Sequence, residues 1–336
     1  MVELSVIIPI YNLEGFLEKC LDSLVKQKSK YSYEVICVND GSTDHSEEIL
    51  QNYATKYPDI IRVFTKENEG VSVARNFGIK NSSGKYLTFV DGDDWVSQEM
   101  VELSVHTFEN NDVDIVISDT VHVFNEKKVL VEEEIGNLVF NTENHACGKI
   151  FKKSLIEKYN LKFPIGVRVG EDFSFTFSYL LVCNDYIKLN TPFYFYRRSR
   201  VGSVMSERNS LKYKDIYIAC EELMDFAKIN YKYTEYKDEL EYLLIKNIIV
   251  RILPKVLKSE FPHYAKTKIG LQESVLFIER YFPNWDSNKY FKNDIEGYFV
   301  KKIGPNYIKN LTKVFKGKLF YVFLIMLDKK NRNRKH

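Results

Sequence analysis

The sequence predicts an α/β fold with a mostly parallel sheet in its first 120 residues. Five continuous apolar runs alternate with amphipathic stretches over this part of the chain. Apolar runs without polar alternation are typical of strands that are buried on both faces, with helices providing the cover. In such sheets, ligands bind beyond the carboxyl ends of the strands. We therefore look for a functional site in the loops that follow the strands.

The predicted elements follow one another in a regular order. The strands are residues 4–10, 33–39, 60–65, 86–90 and 114–118, and the helices between them are residues 14–28, 44–57, 70–81 and 97–111. From about residue 120 to residue 205 the pattern loosens into short segments. Three further helices are then predicted at residues 211–231, 235–258 and 262–282. The change predicts two domains, residues 1–205 and a helical C-terminal region at residues 206–336.

Composition narrows the class of protein. The chain is 28% charged and 45% hydrophobic, as in ordinary globular proteins. Its net charge of +2 argues against a nucleic-acid-binding protein, which usually carries a basic excess. Five cysteines lie far apart without a CxxC pair and mostly in apolar segments, which indicates reduced, buried thiols in a cytoplasmic protein. The first strand begins almost at the N-terminus with no basic and apolar leader before it, so we expect no signal peptide.

The C-terminal residues 311–336 have a different charge from the rest. They contain eight Lys or Arg and one acid, so this tail carries +7 and the remainder −5. The nine apolar residues at 319–327 are too few to span a bilayer, which takes about 20. The tail could lie on the inner membrane surface and attract anionic lipid, or it could be a docked helix with a basic end. The aromatic helices after residue 211 could equally bind a ligand, bind membrane or pair subunits into a homo-oligomer.

Three carboxylates follow the fourth predicted strand within four residues: Asp91, Asp93 and Asp94. Carboxylates this close repel one another and raise each other's pKa, unless a divalent ion or an arginine supplies the opposite charge. A solvated acidic turn is the alternative, since Asp and Gly are common in turns. This segment alone does not decide between the two.

Further polar residues follow other strands. Asp40 lies at the tip of the second strand, where it could accept hydrogen bonds from a base or a ribose, whereas helix capping alone explains Asp44. Gly70 and Ser72 would let an anion approach the amides of the next helix. Arg75 can neutralise a phosphate or hold an acidic loop in place. Because GxGxxG and GxxxxGK[ST] loops are absent, any phosphates would be held by a metal and by side chains.

Taken together, five segments resemble the family 2 nucleotide-sugar glycosyltransferases of bacterial surface-polysaccharide type, whose catalytic domain has the GT-A fold. In chain order they are residues 5–12, 38–44, 69–78, 91–95 and 170–172. The resemblance covers roughly residues 4–205. It implies a Rossmann-like, mostly parallel sheet with flanking helices, and it favours a metal site at the acidic cluster.

The resemblance also implies a donor site. Transfer from a nucleoside diphosphate sugar releases a diphosphate, whose charge Mn²⁺ or Mg²⁺ would neutralise. Asp93 and Asp91 match the DxD-type metal motif, with Asp91 nearer the ribose or the second phosphate, and Asp94 would orient the loop or the donor sugar. The other donor-binding residues that it implies are Pro9, Tyr11, Asp40, Arg75, Arg198 and Ser203. Residues 194–198 could instead be a strand with core aromatics and solvated arginines.

On the acceptor side, the resemblance assigns the general base. An acceptor hydroxyl needs such a base to attack, and Asp172 matches it, with Glu171 beside it. A purely structural role at a helix N-terminus is the alternative for this acidic pair. Trp95 would form part of the acceptor wall, and Lys149 matches a basic residue of relatives. Relatives often carry Trp near position 147, where this chain has Cys147, so the shape of its acceptor side would differ.

The predicted function is that of an inverting, metal-dependent glycosyltransferase. It would move a sugar from a nucleoside diphosphate donor, with UDP as the expected nucleotide, to a glycan or lipid-linked acceptor. The expected setting is the assembly of surface polysaccharide or glycoconjugate in the cytoplasm, at the cytosolic face of the membrane. The alternatives are a nucleotidyltransferase and a non-catalytic scaffold that binds sugar nucleotides or glycans.

Overall fold

The computed structural model describes residues 2–125, 127–132, 142–198, 210–253, 255 and 264–293. The chain divides into two compact units, residues 1–207 and residues 208–336. The basic tail predicted at residues 311–336 lies outside the described residues.

Four parallel strands form the first part of the sheet in the N-terminal unit. Their order is β3 (Ile61–Lys66), β2 (Tyr33–Asp40), β1 (Leu4–Ile10) and β4 (Tyr86–Phe89). Most residues of β1, β2 and β4 are buried, as the continuous apolar runs predicted. All four strands end at the same edge of the sheet, where the loops of the candidate site begin.

The helices between these strands agree with the predicted ones apart from their ends. They are α1 (Leu17–Val25), α2 (Ser46–Lys56), α3 (Val71–Asn81) and α4 (Met100–Asn110). Helix α3 packs closely on β1, since a Cβ atom added at Gly78 would lie 2.3 Å from Cγ2 of Ile7. A residue without a side chain is therefore needed at this contact.

The sheet continues beyond β4 with mixed pairing. Strand β4 is antiparallel to β8 (Lys149–Lys152), which is antiparallel to β6 (Ile115–Phe124). Strand β6 runs parallel to β9 (Tyr186–Arg197), and β9 pairs with the short β5 (Trp95–Val96). A further strand, β7 (Lys127–Val131), forms a hairpin with β6. This order brings β9 to the segment that follows the acidic cluster.

Two helices complete the described part of this unit, α5 (Lys153–Lys158) and α6 (Glu171–Val182). The inner face of α6 joins an aromatic core in which Phe163 and Phe175 stack with their ring centres 4.0 Å apart. Phe89 meets both rings edge-on. Edge-to-face and stacked pairs of this kind add to the stability that burial gives, so the start of α6 is held firmly against the end of β4.

The described part of the C-terminal unit is helical, as predicted. Its described elements are α7 (Ser210–Ile229), α8 (Lys237–Ile245) with a π-helical continuation (Lys246–Ile252), α9 (Tyr264–Tyr281), a 3₁₀ turn (Trp285–Ser287) and α10 (Lys289–Asn293). Helices α7 and α9 are joined by a Lys214–Glu273 ion pair and by Tyr217 beside Phe277. Over the described residues, none of the helices is both long enough and apolar enough to cross a membrane.

The five cysteines are free thiols. Cys20, Cys37, Cys147 and Cys220 are buried and Cys183 is half-buried. The prediction of separate, largely buried thiols is confirmed.

Candidate active site

The acidic loop, residues 91–94, follows strand β4 after one further buried residue, Val90. The Val90 amide still donates to the Ile7 carbonyl, and the Asp94 amide then donates to the Asp91 carbonyl to form a tight turn. A Cβ atom at Gly92 would lie 2.7 Å from Cδ1 of Leu13, so a glycine suits this turn. The loop therefore lies at the carboxyl end of the sheet, as predicted.

Asp94 is buried beneath the acidic loop's surface. Its carboxylate accepts a hydrogen bond from the Tyr194 hydroxyl at 2.6 Å and from the Arg197 amide at 2.7 Å. Burial, then Asp91 and Asp93, raises the pKa of Asp94 to about 8. The Tyr194 hydroxyl also accepts from the Asp91 amide at 3.2 Å. Of the two roles expected for Asp94, these contacts match that of orienting the loop.

Arg75 connects the acidic loop to the start of α6. Its guanidinium is buried and donates to Asp91 at 2.9 Å and to Asp172 at 2.8 Å, with Glu171 at 3.5 Å. Burial lowers the pKa of Arg75, but the three carboxylates outweigh it and raise that pKa well above its ordinary value. Of the two roles expected for Arg75, the structure has it holding an acidic loop in place.

The acidic pair opens α6, where Gly170 adopts a φ of 106° that favours glycine. Burial, then Asp172, raises the pKa of Glu171 to about 7 despite Arg75. Burial also raises the pKa of Asp172, again against the effect of Arg75. Asp172 keeps 21% of its side chain exposed, so it remains accessible to a ligand.

The support beneath Arg75 comes from the segment before α6. The Phe163 ring lies 5.1 Å from the guanidinium carbon of Arg75. Asn76, next to Arg75 in α3, exchanges two hydrogen bonds with the backbone of Phe163 at 2.8 and 2.9 Å. The guanidinium therefore packs on an anchored aromatic ring in addition to its carboxylate partners.

Asp40 lies at the end of β2 and is buried. Its carboxylate contacts the Lys66 ammonium at 2.7 Å and accepts from the amides of Glu69 and Gly70 at 3.1 and 2.7 Å. It therefore shapes the loop that leads into α3. A carboxylate has about four acceptor positions, which leaves room for one further donor from a ligand.

Pro9 and Tyr11 lie at the tip of β1. Pro9 is half-buried and pairs in register with Val38, whereas Tyr11 is 47% exposed. The neighbouring loops are joined by hydrogen bonds, among them one from the Asn12 amide to the Ser42 hydroxyl at 3.1 Å. The tips of β1 and β2 therefore form one ordered surface with an exposed aromatic ring.

Lys149 is fully buried at the start of β8, and its ammonium donates to the His145 carbonyl at 2.9 Å. Both His145 and Lys149 lower the pKa of Asp172, although less than Arg75 does. Cys147 is buried, and this burial, followed by the charges of Asp91 and Asp172, raises the pKa of its thiol. Lys149 therefore acts on Asp172 through charge rather than as an exposed acceptor contact.

The remaining predicted residues lie around β9. Trp95 is half-buried and stacks on Phe195 with ring centres 5.7 Å apart. Arg198 is exposed and lies beside His122, 4.6 Å from the Tyr196 ring. Burial and Arg198 lower the pKa of His122 to about 4. Ser203 lies outside the described residues.

Sequence analysis missed two residues that fix the acidic loop. Tyr194 bridges Asp91 and Asp94, and the Arg197 Nε donates to the Asp93 carbonyl at 2.8 Å. For residues 194–198 the sequence predicted either contacts with the diphosphate or a strand in the core, and neither prediction includes contacts with the acidic loop. The missing signal is the pairing of β9 with β5, which places a late strand beside an early loop.

The acidic loop fits a divalent metal of the Mn²⁺ or Mg²⁺ type. Only one oxygen of Asp91 is taken by Arg75, and a third of its side chain is exposed. Among the described residues, no group of three or more His, Cys, Asp or Glu side chains is arranged to hold a metal by itself. Such ions are commonly bound by one or two carboxylates and by substrate phosphates, so Asp93 and Asp91 suffice only together with a phosphate-bearing ligand.

Comparison with known proteins relates this site to a family. Residues 5–170 match the family model described as Glycosyl transferase family 2. The chain is 31% identical over 224 residues to glycosyltransferase GlyG of Streptococcus pneumoniae, covering 60% of this chain and 72% of that protein. It is 33% identical over 217 residues to poly(ribitol-phosphate) beta-glucosyltransferase of Bacillus spizizenii, covering 61% and 34%. The chain spans 31%, 61% and 20% of the length of three other curated relatives that it matches.

A solved structure gives the fold. The S. aureus TarS fragment 1–349, crystallised with UDP-GlcNAc, superimposes with a TM-score of 0.59 at 21% identity, over 83% of this chain and 91% of that one. The predicted GT-A fold is confirmed. Because the family match runs from β1 to the residue before α6, and GlyG is matched over most of its length, this chain belongs to glycosyl transferase family 2.

Proposed function

We propose that this chain transfers a sugar from a nucleoside diphosphate donor to an acceptor hydroxyl, with inversion at the anomeric carbon. Family membership supports sugar transfer in general. The nucleotide, the stereochemical outcome and the acceptor are proposals that depend on the site residues.

One observation carries the proposal: Arg75 contacts the acidic loop and the acidic pair at the same time. Donor transfer needs a charged group at the departing diphosphate and a base at the acceptor hydroxyl, held at a fixed separation. Asp91 and Asp172 belong to these two parts, and one buried guanidinium sets their relative position. A site that only bound nucleotide would not need the second part.

Asp172 is the proposed general base. It would accept the proton of the attacking hydroxyl, which makes attack on the face opposite the diphosphate possible and therefore inverts the configuration. Burial raises the pKa of Asp172, which makes its ionised form more basic, and Arg75 opposes that rise. Glu171 beside it would orient the acceptor.

Asp93 and Asp91 would hold a divalent ion with the donor diphosphate. When bound, such an ion neutralises the charge that develops on the leaving diphosphate. Asp94, bonded to Tyr194 and Arg197, keeps the loop in place. Arg198 and Ser203 remain proposed diphosphate contacts.

UDP is the proposed nucleotide. TarS, which shares the fold, was crystallised with UDP-GlcNAc and with UDP. Pro9, Tyr11 and the end of β2 would receive the base: Tyr11 offers an exposed ring for stacking, and Asp40 has one acceptor position open. The acceptor would contact Trp95, with Lys149 acting behind Asp172.

The proposed setting is the synthesis of cell-surface polysaccharide or glycoconjugate, with a glycan or lipid-linked acceptor. A relative named for glucosylation of poly(ribitol phosphate) supports it. Work in the cytoplasm at the inner membrane surface stays a prediction from the basic tail, and a homo-oligomer stays a prediction from the aromatic helices.

The test combines binding with turnover. UDP is titrated by calorimetry into the wild type, Asp93→Asn and Asp172→Asn, each with and without Mn²⁺, and UDP release is followed from a panel of UDP-sugars with mixed cell-wall glycans. We expect metal-dependent UDP binding in the wild type and in Asp172→Asn, but not in Asp93→Asn. Turnover should fall at least about 100-fold in Asp172→Asn.

The outcomes separate the alternatives. Binding of UDP without turnover in the wild type would favour a scaffold. Unchanged turnover in Asp172→Asn would show that Asp172 is not the general base. Binding of GDP or CDP in place of UDP would change only the nucleotide.

A further inference from the structure

Three cations surround an aromatic pair on the β9 side of the acidic loop. The Lys19 ammonium lies 3.2 Å from the centre of the Trp95 ring, and the Arg197 guanidinium carbon lies 5.0 Å from it. Trp95 is parallel to Phe195, over which the Lys128 ammonium lies at 5.6 Å. These five residues, which we call the Trp95 cluster, come from α1, β5, β7 and β9.

Among the described residues, no carboxylate forms an ion pair with Lys19, Lys128 or Arg197, although the Asp94 carboxylate accepts from the backbone amide of Arg197. Burial, then Arg197 and Lys128, lowers the pKa of Lys19, which agrees with mutual repulsion. Arg75, by contrast, has three carboxylates around it. Acidic side chains are therefore in excess around Arg75, whereas basic side chains are in excess in the Trp95 cluster.

Packing alone explains only part of this arrangement. A cation over an aromatic face is stabilising, and the lysine stems cover apolar surface. Each lysine ammonium nevertheless has three N–H donors, and not all of them can point at the face of one ring. Lys19 and Lys128 are exposed, so their other donors face outward. Bringing these like charges together costs free energy that a bound anion would offset.

The cluster also borders the reaction site. The backbone amide of Arg197 donates to Asp94 and its Nε donates to the Asp93 carbonyl, so the cation is fixed to the loop proposed to receive the donor. The two lysines lie outside that loop, on α1 and on the β7 hairpin. An anion bound there would belong to a ligand that extends away from the loop over an aromatic floor.

We propose that the Trp95 cluster binds a phosphodiester group of the acceptor chain, with the neighbouring polyol or sugar unit on the Trp95 and Phe195 rings. This assignment rests on the proposed function, and it adds the chemical class of the acceptor: an anionic, phosphate-bearing polymer rather than a neutral glycan. The lysines supply charge, and the rings supply stacking area.

The test uses the 336-residue chain and a short oligomer of glycerol phosphate as the probe. Calorimetry measures its binding to the wild type, to the double variant Lys19→Gln/Lys128→Gln and to the matched control Lys30→Gln/Lys56→Gln. The control lysines are also exposed and lie over tyrosine rings, at 5.0 and 5.3 Å, so both double variants lose the same charge. UDP with Mn²⁺, an uncharged oligosaccharide and phosphatidylglycerol vesicles are titrated in parallel.

We expect the oligomer to bind the wild type, to bind the cluster variant about tenfold more weakly, and to bind the control variant within about twofold of the wild type. Rising salt should weaken binding to the wild type more than to the cluster variant. UDP affinity should be the same in all three proteins.

Four results would overturn the proposal. They are no oligomer binding to the wild type, equal losses in both double variants, vesicle binding without oligomer binding, and a loss of UDP affinity in the cluster variant. The last two would assign the cluster to lipid headgroups or to the donor. Because oligomer binding is read without turnover, failure of the transferase assay would count against the proposed function alone.

Discussion

The guanidinium of Arg75 lies 2.8 Å from a carboxylate oxygen of Asp172, a residue 97 positions later in the chain. The same group contacts Asp91, so a single buried cation balances acids from the acidic loop and from the start of α6. Its Nε has no hydrogen-bond partner among the described residues. The position of Arg75 therefore depends on its two carboxylate contacts and on the Phe163 ring.

Replacing Arg75 by methionine should be strongly destabilising. The side chain is similar in length, but Asp91, Asp172 and Glu171 would lose the charge that offsets their repulsion, at a cost of about 3–5 kcal/mol. Denaturant unfolding measures the change. Lys85→Met is the control, because it breaks an exposed ion pair with Glu109 and should cost less than about 1 kcal/mol. Equal effects of the two substitutions would contradict the role given to Arg75.

Tyr194→Phe should loosen the acidic loop. The variant loses the hydroxyl that accepts from the Asp91 amide and donates to Asp94, which costs about 1–3 kcal/mol for the buried groups left unpaired. Because the loop is proposed to hold the donor, the KM for the nucleotide sugar should rise more than kcat falls. On the same strand, the hydroxyl of Tyr196 has no hydrogen bond among the described residues, so Tyr196→Phe should change neither quantity. A wild-type KM in Tyr194→Phe would disprove this role.

The pH dependence of stability should report on Glu34. Burial raises its pKa, but hydrogen bonds from Ser5, Ser83 and Arg62 outweigh that effect and lower the pKa to about 2 from 4.5. A lowered carboxyl pKa stabilises the folded chain above pH 4.5, and this stabilisation, at most about 3 kcal/mol, is lost as the pH falls towards 2.

The measurement is the free energy of unfolding of the wild type and Glu34→Gln between pH 2.5 and pH 6. The difference between the two proteins should be largest at pH 6 and should shrink on acidification. Glu99 is exposed, and replacing it by glutamine should leave the wild-type profile unchanged. A pH-independent difference for Glu34→Gln would show that the carboxylate charge does not matter there.

Gly78→Ala should separate α3 from β1. The new methyl group would lie 2.3 Å from Cγ2 of Ile7, and overpacking of this kind costs about 1–3 kcal/mol. A lower melting temperature would follow, and donor binding should weaken as well because Arg75 lies on the same helix. At Gly15 an added Cβ has nothing within 4 Å, so Gly15→Ala should be close to neutral.

The first half of the fold could be predicted from the sequence because its signals are local. Strands β1, β2 and β4 are buried, largely apolar runs, whereas the edge strand β3 buries only Ile61. Each helix between the strands has its own amphipathic pattern. The parallel pairing follows from the alternation of the two. The candidate site could be predicted for the same reason, since Asp40 and Asp91 lie where predicted strands end and Arg75 lies in a predicted helix.

The second half could not be predicted in the same detail. Strand β6 extends to Phe124, where the pattern predicted an end at residue 118, because its far half pairs with β7 on one side and with β9 on the other. The contacts of Tyr194 and Arg197 with the acidic loop depend on that pairing. Lys149 was expected on the acceptor side, and its complete burial depends on the residues that β8 meets in three dimensions.

The bridge from Tyr194 to the acidic loop also has a consequence for biosynthesis. Tyr194 lies 103 residues after Asp91, so at ordinary rates of translation it leaves the ribosome roughly 5–20 s later. During that interval the first four strands can already pair, and Arg75 can contact Asp91, while the Asp94 carboxylate has neither of its β9 partners. A nascent chain without β9 would therefore have most of the half of the sheet that is proposed to bind the nucleotide, while its acidic loop would still lack the hydrogen bonds from Tyr194 and Arg197.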